Sequence, residues 1–72
     1  PTAAAELYAD LSQRYPQNAV FLCNLGVTLF QAGKKDEAIA SFRRALEIDP
    51  ELADARENLR AALEEEKNSS DQ

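Results

Sequence analysis

The stretch AVFLCNLGVTLFQAGKKDEAIASFRRALEIDPEL, Ala19 to Leu52, decides how this chain folds. No charge occurs in it before Lys34, whereas the rest is dense in charge. Asn18, just ahead of it, is a residue type whose side chain caps helix N-termini, and Gly33 sits where a helix end wants a left-handed residue. The pattern predicts a helix over 19–32. Further on, Ala38, Ile39, Phe42, Ala45, Leu46 and Ile48 recur at helical spacing. They predict a helix over 35–48, ended by Asp49-Pro50. A two-residue link between the helices forces them to lie antiparallel.

The flanks read the same way. Ala4, Leu7, Tyr8 and Leu11 give a helix over 3–14, with Thr2 as its expected N-cap and Pro16 beyond its end. Leu52, Ala55, Leu59, Ala62 and Leu63 give a fourth helix over 52–67. The tail NSSDQ, residues 68–72, has no apolar anchor and reads as disordered. No segment alternates as a strand does. The expected fold class is all-α, built of antiparallel helical hairpins.

A shift of 34 positions lays the chain on itself. Ala4 falls on Ala38, Pro16 on Pro50, Ala19 on Ala53, Asn24 on Asn58, Leu25 on Leu59 and Leu29 on Leu63, while Tyr8 falls on Phe42. These matches sit at helix contacts and turns, where stacked hairpins need small, apolar or chain-breaking residues. Leu22, Leu25-Gly26, Leu29, Ala38, Phe42, Ala45 and Pro50 keep the spacing of one known pattern. On those residues the chain resembles the tetratricopeptide repeat (TPR) family, although Leu22 and Leu29 stand where aromatics are usual. The resemblance implies one complete repeat at 19–52, the second helix of a preceding repeat at 1–18, and a C-terminal capping helix at 53–67. It also implies a short right-handed superhelix, a TPR-like solenoid. Gly26 would then let helices two and three approach, with Phe42 filling the space between hairpins.

The two ends differ. Arg56 and Arg60 replace Leu22 and Gly26 in the fourth helix, which argues for a solvated outer face with no further helix packed on it. At the other end Ala4, Ala5, Leu7, Tyr8 and Leu11 offer apolar surface on more than one side. Three explanations compete: a piece cut from a longer repeat protein, which is favoured, self-association through that helix, or tolerated exposure.

Function classes narrow quickly. The net charge is −5 and no basic stripe exists, so neither nucleic acid nor an anionic membrane is an expected partner. The charge-free run 15–33 includes Pro16, Gln17, Asn18, Asn24, Thr28 and Gln31, too polar for a membrane span. Cys23 is the single cysteine and histidine is absent, so the thiol has no base to activate it. Glu64 to Glu66 point about 100° apart on a helix and do not converge on an ion. An enzyme, a metal or a cofactor is therefore not expected. The lone cysteine fits a reducing compartment, and the cytoplasm is the expected location.

What remains is a surface. The resemblance implies a concave groove lined by the first helix of each repeat, here Val20, Cys23, Val27, Phe30 and Gln31, then Asp54, Glu57, Ala61, Glu64 and Glu65. One half is apolar and the other acidic. A branch of the family holds C-terminal carboxylates with Lys, Arg and Asn; Cys23, Val27, Glu57, Ala61 and Glu65 at such positions exclude that subtype here. The expected ligand is a protein or peptide segment with apolar anchors and a basic flank. The alternative is a structural segment of a larger repeat protein or homo-oligomer, with Val20, Val27 and Phe30 covered by another copy or by the parent protein.

Overall fold

A computed structural model describes the backbone of residues 2–70 and the side chains of residues 3–65. Four helices follow in order: α1 (Thr2–Arg14), α2 (Ala19–Gln31), α3 (Lys35–Ile48) and α4 (Ala53–Ser70). Among the described residues there is no strand.

The ends of α2 show why the chain breaks where it does. The Asn18 side chain accepts hydrogen bonds from the backbone N–H groups of Val20 (3.0 Å) and Phe21 (3.2 Å), satisfying two donors the helix leaves orphaned. At the other end Gly33 takes φ +85°. Its N–H donates to the Phe30 carbonyl and that of Lys34 to the Leu29 carbonyl, the paired bonds of a Schellman motif. Removing the cap in Asn18→Ala is expected to cost about 1 kcal/mol. The midpoint of a circular-dichroism melt would fall by roughly 4–8 °C.

The Pro16 and Pro50 turns repeat each other. In one, the Asn18 N–H donates to the Tyr15 carbonyl; in the other, Leu52 donates to Asp49, each partner 34 positions on. Four boundaries differ from expectation, the first being that α4 opens at Ala53 rather than Leu52. Thr2 lies inside α1 rather than ahead of it, and α2 closes at Gln31 with Ala32 as its cap. α4 runs on through Asn68, Ser69 and Ser70, where a disordered tail was expected. No Gly or Pro interrupts that stretch, so the helix meets no stop signal there. The expectation for residues 71 and 72 lies outside the described residues.

α2 is the hub: it packs on α1, α3 and α4, whereas α1 touches α2 alone among the described residues. The Cα atoms span 39 × 28 × 13 Å, a slab too thin for any helix to be enclosed on all sides. The buried apolar residues are Ala19, Cys23, Leu29, Ala38, Ile39, Phe42, Ala45, Ala55 and Ala62. Alanine dominates this set, so the helices approach closely and one large side chain fills the gap. That side chain is Phe42, 2% exposed. Gly26 is its seat, because a Cβ there would lie only 2.5 Å from the Phe42 ring. The close approach foreseen at Gly26 is thus a ring laid on helix backbone.

Candidate partner-binding groove

Four of the ten expected groove residues come together. Val27, Phe30 and Gln31 of α2 and Ala61 of α4 line one notch with Phe42, Asn58 and Ala62. Its volume is about 150 Å³. Small-molecule pockets run to about 300–1,000 Å³, so the notch is small for a ligand of that kind.

The other six lie elsewhere. Val20 is 52% exposed and belongs to a shallow recess at the turn end, with Tyr15, Pro16 and Ile48. Cys23 is 5% exposed and packs beneath the surface, where Asn58 Nδ2 reaches its Sγ at 3.8 Å. Burial pushes the thiol pKa up, the Asn58 contact opposes this, and the negative charge of Asp54 adds to the rise. Cys23 is therefore held as a thiol and offers no open contact to a ligand. Asp54 and Glu57 are exposed on the first turns of α4, with Glu57 beside Ala53, Arg56 and Arg60.

Charge is distributed differently from the expected acidic half. Glu65 pairs with Lys35 of α3 at 3.2 Å, so its charge is answered within the chain. Glu64 instead lies 3.8 Å from Arg60 and borders a separate apolar channel. Consecutive helix positions point about 100° apart, and here the turn from Glu65 to Glu64 separates the two carboxylates. Among the described residues Asp54 and Glu57 are left as the carboxylates of this half with no ion pair.

A second correction concerns Val27 and Phe30. Expected to line an open groove, both are half-buried and rest on the core. α2 and α4 meet here, and what stays exposed of each side chain lines the notch with Asn58, Ala61 and Ala62. Asn58, Phe42 and Ala62 are the lining residues the groove reading missed. The recurrence of asparagine at 24 and 58 was the available signal for Asn58.

Arg56 and Arg60 are exposed, as expected of the outer face of α4. That face is nevertheless not wholly polar. Leu46 of α3 with Leu59 and Leu63 forms an open channel of about 390 Å³, flanked by the two arginines and Glu64. No helix among the described residues is long and apolar enough to cross a membrane.

The sequence model of the tetratricopeptide repeat family matches residues 19–52. The chain is 33% identical over 51 residues to human protein arginine N-methyltransferase 9, which is 71% of this chain and 6% of that protein. The mouse protein of that name matches to the same extent. Anaphase-promoting complex subunit 7 of Arabidopsis thaliana is 43% identical over 47 residues, 65% of this chain and 8% of its own length. The chain thus spans less than a tenth of these relatives. No solved structure matches it.

Proposed function

Residues 19–52 are a tetratricopeptide repeat, a protein–protein interaction module, and from that premise we propose that the chain binds a segment of another protein across α2 and α4. One apolar side chain of that segment enters the notch between Val27, Phe30 and Ala61, and a basic flank meets Asp54 and Glu57. The observation that supports this reading is the notch itself, which opens between α2 and α4, while Asp54 and Glu57 stand exposed nearer the start of α4 with no ion pair among the described residues. In this reading α1 is the second helix of a preceding repeat and α4 closes the repeat at its C-terminal side.

Binding is non-catalytic. The methyltransferase activity named for two relatives belongs to proteins of which this chain matches 6%. Cys23, the one nucleophilic thiol, is buried and biased toward its protonated form. A relative named as a subunit of a complex agrees with an assembly role.

The test uses synthetic peptides with a central Leu and a Lys flank, against the same peptides with Glu in place of Lys. The wild-type chain should favour the Lys series by fluorescence anisotropy. Val27→Glu should weaken that binding at least about tenfold, since a buried charge in the notch costs more than the 1.4 kcal/mol of one decade. Glu57→Lys should reverse the preference toward the Glu series. Equal binding of both series by all three proteins, with helicity intact, would remove the groove reading.

A further inference from the structure

Most of the boundary of the notch between α2 and α4 is held in place by the core. Phe42 is 2% exposed and lies against Gly26, and Ala62 is 1% exposed, so these two have little freedom to yield. Val27 and Phe30 form the α2 side and rest half-buried on the same core. Ala61 alone of the apolar lining residues is exposed, and its side chain ends at Cβ.

The internal repeat gives this position its meaning. Where α4 carries Ala61 and Ala62, α2 carries Val27 and Thr28, 34 positions earlier. The notch of about 150 Å³ thus stands beside the smaller of the two pairs. Val27 also shows that a helix of this repeat accepts a β-branched residue at the same place. Position 61 can therefore change in size without disturbing the core.

We propose that Ala61 sets the largest partner side chain that the notch admits. This role rests on the groove reading proposed above and names the anchor of that segment and the residue that selects it. An apolar cavity of about 150 Å³ has room for benzene, so one branched aliphatic or phenyl group enters and an indole is too large. Val27, Phe30 and Phe42 offer only carbon to the occupant, so buried area and fit decide its affinity. A valine at 61 would project its methyl groups from Cβ with little rotamer freedom and fill the space an anchor needs. It would leave Glu57 and Asp54 untouched, since they stand about one and two turns earlier in α4.

The Lys-flanked peptides test this with Ala, Val, Leu or Trp at the central position, read by fluorescence anisotropy. The wild-type chain should bind the Leu peptide at least about tenfold more tightly than the Ala peptide, with Trp weaker than Leu. Ala61→Val should weaken the Leu peptide about tenfold and the Ala peptide less than about twofold, with unchanged circular dichroism. Ala61→Ser, which adds almost no bulk, should keep the wild-type ranking. An Ala61→Val chain that keeps that ranking, or weakens all four peptides alike, would overturn the role of Ala61 and leave the groove reading standing. A wild type that prefers Trp would do the same. If the wild type binds all four alike and Val27→Glu changes none of them, the groove reading fails and the role of Ala61 with it.

Discussion

Phe42→Ala is expected to lower the thermal midpoint of the chain by roughly 20–30 °C. The ring is the largest fully buried side chain, and it lies between α2, α3 and α4 at once. Truncating a buried phenylalanine costs about 3–5 kcal/mol, because lost transfer energy and an unfilled cavity add. A chain of 72 residues has about 4–11 kcal/mol in total to lose. The remaining core is chiefly alanine, whose side chains cannot reach into the space the ring leaves. Urea unfolding followed by far-ultraviolet circular dichroism gives the number directly. A loss below about 1 kcal/mol would mean that the three helices do not meet on this ring.

The second large effect is expected at Gly26. On helix propensity alone a glycine inside α2 is a defect, and a better helix former would stabilise by about 1 kcal/mol. The Phe42 ring reverses the sign: three of its carbons lie at 2.5, 2.7 and 2.9 Å from where a Cβ would stand. A buried ring packed on three helices cannot swing aside without opening the core. Gly26→Val should therefore destabilise by about 2–3 kcal/mol, the upper range for overpacking. Phe42→Leu should recover at least about 1 kcal/mol of that loss in the double variant, as expected for residues in contact. If the losses of the two single variants simply add, the ring does not rest on position 26.

These two residues also show what could be read from the sequence. Gly26 and Phe42 keep their spacing because the hairpin requires it, and the turns at Pro16 and Pro50 repeat because local hydrogen bonding makes them. Helices, links, the Asn18 cap and the left-handed Gly33 are local matters and were legible. The groove was less so. Which carboxylates face a ligand depends on how α4 is rotated and tilted, and spacing alone fixes neither. Glu65 meets Lys35 across the molecule while its neighbour Glu64 turns to the outer face. Val27 and Phe30 stand at the edge of the core, where the placement of α4 decides between core and surface. Cys23 carried no sign in its own neighbourhood that Asn58, 35 positions away, would help cover it.

Gly33 has a consequence of its own. Its φ of +85° is one an L-residue adopts only at a cost of about 1–2 kcal/mol, yet nothing lies within 4 Å of where a side chain would go. Elsewhere in α2 and its neighbours, size, polarity and shape decide what a position accepts. Here handedness alone decides. The helix ends at a point where the mirror-image amino acid, a D-alanine, would fit the backbone without strain and without a neighbour to displace, and would restrict the unfolded chain as glycine cannot.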